Sequence, residues 1–270
     1  MLAVAGLVAL TAGGHAGRFD AARAWSLLRY QVQLGPRPTG SPQSRRLAEF
    51  IRARLPHGRF EDEPGGFRNV VGSLPGRGKA ILVGAHYDTK VEPFRFVGAN
   101  DGAGGTAELL ELARALRRAR RPAGAPPIRF VAFDGEESPD DRADFYKTGL
   151  RGSKPYAARH ARQLRAMILL DFVANKRLVI PREAGSNAAL WTRLRAAARR
   201  VGVGRAFPQG EIGEVLDDHT PFARRGVPSI DLIDFDFPCW HRACDDLSAV
   251  SEHSLGQSGS AVLELLRSWR

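Results

Sequence analysis

The chain has 270 residues, 43% of them hydrophobic, which is enough to bury one large core, and no low-complexity linker or internal repeat divides it. Its formal net charge of +11 is carried almost wholly by arginine. These arginines are scattered along helical segments (Arg114, Arg117, Arg118, Arg120; Arg193, Arg195, Arg199, Arg200) without interleaved aromatic residues, so they read as solvated helix faces and not as a nucleic-acid platform.

Residues 1–12 are apolar and small, and residues 11–17 form a small-residue stretch suited to cleavage. The run is too short to span a bilayer comfortably and resembles the core of a secretory signal, so export (secreted, periplasmic or cell-surface) is expected. No basic segment precedes it, which leaves an uncleaved anchor as the alternative; without one, no stable membrane insertion is expected. Residues 18–270 are expected to form a single α/β domain.

Apolar residues recur at helical spacing over 20–34 and 44–55, on either side of the Pro/Gly-rich stretch Gly35-Pro36-Arg37-Pro38-Thr39-Gly40-Ser41-Pro42. Strands are expected at 59–63 and 67–74, ending in a Pro75-Gly76 turn. Residues 80–85 are continuously apolar, as in a strand buried on both faces, and His86 stands where the run stops. Glycines 102, 104 and 105 lead into a helix over 106–120, with Leu109, Leu110, Leu112 and Leu116 inward. After Pro126-Pro127 a strand over 128–133 delivers Asp134-Gly135-Glu136-Glu137, and a strand over 166–170 delivers Asp171. A helix over 187–201, a short helical start at 221–225, a strand at 229–233 and an amphipathic helix over 255–269 complete the chain. Strands alternating with helices predict a three-layer α/β/α arrangement around a mixed, mainly parallel sheet. In such sheets ligands bind beyond the carboxyl ends of the strands, where His86, Glu136, Glu137 and Asp171 fall.

One histidine after a strand is more often a hydrogen-bonded structural residue than a ligand, and the same holds for one aspartate. Here five potential ligands occur in corresponding places: His86, Asp101 in Asn100-Asp101-Gly102, Glu137, Asp171 and His241 in Cys239-Trp240-His241. Two imidazoles and three carboxylates suit zinc. Adjacent glutamates at the end of an apolar strand are costly unless a positive charge lies between them. A metal on Glu137 supplies that charge and leaves Glu136 free to carry protons. Asp88 is placed to orient the His86 ring. Trp240 either walls a substrate pocket or packs its own loop. Cys239 and Cys244 flank His241, closing a small loop in an oxidising compartment or remaining two thiols. The acidic residues Asp140, Asp141 and Asp144 read as a solvated loop.

The ordered motifs His86-Tyr87-Asp88, Asn100-Asp101-Gly102, Gly135-Glu136-Glu137, Leu170-Asp171 and Trp240-His241 resemble metallopeptidase clan MH, from about Asn69 to the C-terminus. That clan contains the co-catalytic zinc aminopeptidases and the glutaminyl-peptide cyclotransferases. The resemblance implies one zinc on Asp101, Glu137 and His241. In the aminopeptidase branch it implies a second on His86 and Asp171, with Asp101 bridging. It also implies that Glu136 is the general acid/base and that peptide or protein N-termini are the substrates.

Several stretches are similar to the cyclases: His86-Tyr87-Asp88-Thr89-Lys90, Phe96-Val97-Gly98-Ala99, Trp240, Asp245-Asp246 and the run from Asp217-Asp218-His219-Thr220-Pro221-Phe222 to Pro228. The cyclases keep all five ligand types yet are regarded as single-zinc enzymes, and their counterparts of Asp171 and Asp217 form an acid network with the catalytic glutamate. Two departures bear on the substrate pocket. The stretch Asn100-Asp101-Gly102-Ala103-Gly104-Gly105 is closer to the aminopeptidase form, and residues 138–146 do not match the aromatic loop of animal cyclases. The expected activity is conversion of N-terminal glutamine to pyroglutamate with release of ammonia, with zinc aminopeptidase activity as the alternative.

Overall fold

The computed structural model describes residues 17–140 and 142–269; residues 1–16, which hold nearly all of the expected signal-like segment, Asp141 and Arg270 lie outside the described residues. The elements in chain order are α1 (Ala21–Gln33), α2 (Pro42–Arg54), β1 (Arg59–Glu63), β2 (Phe67–Leu74), β3 (Ala80–His86), α3 (Ala103–Arg118), β4 (Ile128–Phe133), α4 (Phe145–Thr148), α5 (Ser153–His160) and β5 (Leu164–Leu170). They continue with β6 (Arg182–Glu183), α6 (Ala188–Arg200), β7 (Glu211–Ile212), α7 (Thr220–Ala223), β8 (Ser229–Leu232) and α8 (Glu252–Arg267).

Side-chain caps fix several helix starts. Asp20, Ser41, Asn187 and Ser251 each accept a backbone N–H from the first turn of α1, α2, α6 and α8, and Pro42 occupies the start of α2, where no N–H is needed.

Six strands form one sheet in the order β1-β2-β4-β3-β5-β8. The pairs β4/β3, β3/β5 and β5/β8 are parallel, while β1/β2 and β2/β4 are antiparallel. The antiparallel edge follows from the short turn between β1 and β2, which can only reverse the chain. β3 is buried along its full length, as the unbroken apolar run requires, and its residues alternate between two cores. Ile81, Val83 and Ala85 face a large core built with α1, α2, α3, α6 and α8, whereas Ala80 and Leu82 face a smaller one capped by Tyr156 of α5 and Phe222 of α7. Among the described residues no helix is long and apolar enough to cross a membrane.

α3 begins earlier than the sequence suggests, with Gly104 and Gly105 inside its first turn. A Cβ at Gly105 would lie 2.0 Å from the Leu170 carbonyl oxygen, so the two glycines let the helix start settle directly on the sheet. Asp101 is thereby brought to the carboxyl ends of β3 and β5. The short helices α4 and α5 had no legible sequence period, because α4 spans one turn and α5 little more than two.

Candidate metal centre and active site

The parallel strands end at one rim of the sheet. β3 delivers His86, the turn after β4 delivers Glu136 and Glu137, and Asp171 follows β5 directly. Asp101 enters from the start of α3, and His241 from the loop after β8.

The candidate ligands fall into two groups that share Asp101: His86, Asp101 and Asp171, and Asp101, Glu137 and His241, with ligand atoms in each group within 4.8 Å of one another. His86 Nε2 lies 3.2 Å from Asp101 Oδ1 and 3.5 Å from Asp171 Oδ1. His241 Nε2 lies 3.7 Å from both Asp101 Oδ2 and Glu137 Oε2. Asp101 Oδ2 and Glu137 Oε1 are buried without a hydrogen-bond donor. Buried acceptors that no protein group satisfies call for a cation, and this mixed carboxylate–imidazole set fits zinc.

The electrostatics point the same way. Burial, and then Asp101, push the Glu137 carboxyl well above its ordinary range. Burial raises Asp171 to about 8 against the pull of His86. His86 loses ground to burial, but Asp101, Asp171 and Asp88 more than restore it and draw positive charge to the ring. So many buried carboxyl groups around two imidazoles are unfavourable until a positive charge sits among them.

Neighbouring groups fix the ligands. Asp88 Oδ1 is 3.6 Å from His86 Nδ1, and the Asp88 carboxylate also accepts the backbone N–H groups of Glu136 (3.2 Å) and Glu137 (3.3 Å). These partners outweigh burial and hold Asp88 below its ordinary value, so it remains a carboxylate. Thr106 donates to the His86 carbonyl at 2.6 Å. Gly102, at φ +88°, leaves room for the His86 ring, whose Cε1 would lie 3.1 Å from a Cβ there. Lys90 Nζ, also buried, is 3.7 Å from Glu137 Oε2.

His241 takes the left-handed backbone conformation at φ +51°, uncommon outside glycine, within a loop closed by a disulfide between Cys239 and Cys244. The bridge and the tight turns around it hold the imidazole toward Asp101 and Glu137.

A cavity of about 580 Å3 opens onto this rim, and its lining includes the acidic residues Glu136, Glu137, Asp171 and Asp217 together with the apolar Phe172, Ile233, Phe235 and Trp240. Trp240 is 44% exposed, its ring 5.0 Å from that of Phe235 and 4.6 Å from that of His241, so it both walls the cavity and packs its loop. Burial sets Glu136 well above the carboxylate range, with Glu137, Asp217 and Asp218 adding to the effect and His86 opposing it. A carboxyl group so placed is drawn toward its protonated form and is suited to carrying a proton.

Asp171 and Asp217 both line the cavity, but their side-chain partners differ. Asp171 Oδ1 lies 3.5 Å from His86 Nε2, whereas Asp217 Oδ1 accepts the backbone N–H of Asp218 at 2.6 Å and the charge of Asp217 acts on the buried Asp231 of β8. Asp231 was not singled out from the sequence, and neither was Glu183. The legible signal for Asp231 is an acid inside the buried strand Ser229-Ile230-Asp231-Leu232, which is costly without a partner. Asp140 is exposed and also lines the cavity, whereas Asp144 caps α4.

Residues 69–266 match Peptidase family M28. The chain is 30% identical over 85% of its length to the mouse glutaminyl-peptide cyclotransferase-like protein, covering 70% of that protein. Its structure is similar to the glutaminyl cyclase of an Acidobacteriales bacterium, with a TM-score of 0.82 and 31% identity over 95% of this chain and 96% of that one. It is also similar to a Zn-dependent exopeptidase from Parabacteroides distasonis, with a TM-score of 0.81 and 25% identity over 93% and 99% of the two chains. The chain, with its zinc-type ligand set at the strand ends, therefore belongs to peptidase family M28.

Proposed function

We propose that this protein is a glutaminyl-peptide cyclotransferase, converting the N-terminal glutamine of peptides to pyroglutamate with release of ammonia. The observation that carries this reading is Glu136: a buried carboxyl group on the wall of the cavity, beside the Asp101–Glu137–His241 group and next to Asp171 and Asp217. The likeness to cyclotransferases in sequence and in structure supports it.

Zinc held by Asp101, Glu137 and His241 would supply Lewis acidity toward a carbonyl oxygen. The apolar wall of Phe172, Ile233, Phe235 and Trp240 packs the glutamine side chain and excludes water. Glu136 takes a proton from the α-amine as its nitrogen attacks the side-chain amide carbon. The new C–N bond closes the five-membered ring, the old amide C–N bond breaks, and the departing nitrogen leaves as ammonia with the proton from Glu136. Both reacting groups belong to one residue, so orientation within the cavity supplies much of the acceleration. Asp171 and Asp217, both pushed by burial toward their protonated forms, limit the negative charge that builds around Glu136.

A second reading, zinc aminopeptidase, is favoured by one observation: His86, Asp101 and Asp171 form a second group able to hold a metal, sharing Asp101 with the first. In that reaction water replaces the α-amine as nucleophile and the rest of the peptide is the leaving group. Export fits either activity, since the Cys239–Cys244 disulfide suits an oxidising compartment. N-terminal sequencing of protein recovered from the exported fraction tests that placement.

The deciding experiment is mass spectrometry of a Gln-initiated peptide incubated with the zinc-loaded protein. The cyclase reading expects loss of ammonia from an otherwise intact peptide, abolished by a chelator. Loss of the whole first residue, from Leu-initiated peptides as well, overturns it in favour of the aminopeptidase.

A further inference from the structure

Arg23, Arg54, Arg114 and Arg117 line a second cavity, of about 210 Å3, between α1, α2 and α3. Buried Leu27 and Leu110 are part of its lining. Arg114 and Arg117, which read from the sequence as a solvated helix face, are thus gathered with two guanidinium groups from other elements. The cavity is remote from the metal centre. α3 starts at the ligand rim, and at about 1.5 Å per residue Arg114 and Arg117 stand roughly 16–21 Å further along its axis.

The charges around this cavity do not balance. One buried carboxylate, Glu111, serves two of the arginines: Oε2 accepts from Arg114 Nε at 2.8 Å and lies 3.4 Å from Arg23 Nε. Asp20, the other acid near Arg114, accepts the backbone N–H of Arg23 as the cap of α1. Among the described residues, Arg54 and Arg117 pair with no carboxylate. Four positive groups therefore stand against two negative ones. Burial lowers the Arg54 guanidinium; Tyr30 opposes this, and the like charge of Arg23 adds to it. Arg23 and Arg54 are thus within electrostatic reach of each other.

Two of the guanidinium groups are held in place by the protein itself. Arg114 is fixed by Glu111 and by the Arg18 carbonyl, to which its Nη2 donates at 3.0 Å. Arg54 Nη1 donates to the Phe50 carbonyl at 3.2 Å, and its Cζ lies 3.3 Å from the centre of the Phe50 ring, itself stacked on Tyr30. Guanidinium groups fixed in this way lose little freedom on taking an anion, and their planar forks match phosphate oxygens. A carboxylate offers two oxygens in one plane, whereas a phosphate offers oxygens in several directions, as arginines from three helices require. The volume is below the roughly 300 Å3 of pockets that enclose a drug-sized ligand, so a phosphate group fits and a whole nucleotide does not.

We propose that this cavity binds a phosphate group, either free or carried on an anionic lipid headgroup. The headgroup is one source because Arg18, held by Arg114, follows the apolar run 1–12 closely in the chain, so the polypeptide enters the domain beside the cavity. The site rests on neither activity considered above.

The test titrates the wild-type protein and Arg54→Gln/Arg117→Gln with two probes. One is inorganic phosphate, followed by the Nε–H signals of 15N-arginine-labelled protein. The other is phosphatidylcholine vesicles with and without phosphatidylglycerol, followed by sedimentation. Arg199→Gln/Arg205→Gln removes the same charge from exposed positions elsewhere and is the control. Phosphate should shift the Arg23 and Arg114 signals in the wild type and the control, with at least about tenfold more needed in the cavity variant. For a headgroup, binding to phosphatidylglycerol vesicles should fall roughly 10–30-fold in the cavity variant and far less in the control. A phosphate response without the vesicle difference assigns the site to soluble phosphate; the vesicle difference alone assigns it to the headgroup. Should the double variant fail to fold, Arg117→Gln alone carries both comparisons. Neither response, a phosphate response unchanged in the cavity variant, or equal losses in cavity and control variants overturns the site.

Discussion

The backbone N–H of Asp101 donates to Asp245 Oδ2 at 3.1 Å, across 144 residues of chain, while the other Asp245 oxygen accepts the N–H of Asn100 at 2.8 Å. The one residue common to both candidate metal groups is therefore held by a carboxylate from the far end of the His241 loop. Burial, with Asp101 adding to it, raises Asp245 to about 7, while the two N–H donors and Arg37 oppose the rise. Arg37 is buried, and its guanidinium donates to the carbonyls of Val97 and Gly98 just upstream. The Asp101 loop is thus fastened on both sides before any metal binds.

Removing that fastening should appear in metal affinity. Asp245→Ala leaves two backbone N–H groups without their acceptor and frees Asp101 to move. Zinc affinity, measured by competition with a chromogenic chelator, should fall roughly 10–100-fold. Unchanged affinity would mean that Asp101 needs no help from outside its own loop.

Glu136 and Glu137 are neighbours in sequence with opposite assignments, so their variants should separate. Glu136→Gln removes the proton carrier but no ligand; zinc content should be retained while kcat falls by about 10²–10⁴. Glu137→Ala removes a ligand and should lose zinc along with activity. Metal analysis by mass spectrometry beside turnover reads both outcomes. Near-normal turnover in Glu136→Gln would falsify its assigned role.

The framework of this site was legible because each parallel strand announces itself as an apolar run and stops at a polar residue. Residues 80–85, 128–133 and 166–170 all show this, and the strands found there end at or within one residue of the expected position. Where the sequence was silent, the cause is physical. α4 and α5 are too short for a period to emerge. Asp231 reads as an anomaly in an apolar strand until His219 is placed beside it, its Nδ1 3.7 Å from Asp231 Oδ2, and that contact is tertiary. The approach of Asp171 to His86 and of Asp231 to His219 depends on side-chain directions that no linear spacing records.

Away from the metal centre, Glu108 on α3 should govern part of the pH dependence of stability. It is fully buried, accepts from Ser258 through Oε2, and is raised by burial from 4.5 to about 8, with the Ser258 hydrogen bond opposing. An acid whose folded pKa exceeds its unfolded one binds more protons when folded. Its contribution is therefore intact below about 4.5 and is lost as pH rises toward about 8, at up to roughly 1.4 kcal/mol per pH unit. Urea denaturation from pH 5 to pH 8 should show wild-type stability declining relative to Glu108→Gln, whose amide cannot ionise. Parallel curves for the two proteins would show that Glu108 ionises freely in the fold.

Gly105 gives the sharpest test of how α3 meets the sheet. Replacing a glycine inside a helix with alanine ordinarily stabilises by about 0.5–1 kcal/mol, because alanine loses less backbone freedom on folding. At Gly105 the added Cβ would stand 2.0 Å from the Leu170 oxygen, 3.0 Å from its carbonyl carbon and 3.2 Å from the Ala85 Cβ. The obstacle is backbone, so the helix must move, and Leu170 and Ala85 immediately precede Asp171 and His86. Gly105→Ala should therefore reverse the ordinary sign, costing about 1–3 kcal/mol and weakening zinc binding at the same time. Gly256, inside α8, supplies the control: a Cβ there meets only the Ala21 methyl, at 3.1 Å, and that contact can relax. Gly256→Ala should leave stability unchanged or slightly raised, with zinc affinity unaffected. If Gly105→Ala instead matched Gly256→Ala in thermal melts and in zinc titration, the close approach of α3 to the ends of β3 and β5 would not be what sets the ligand positions.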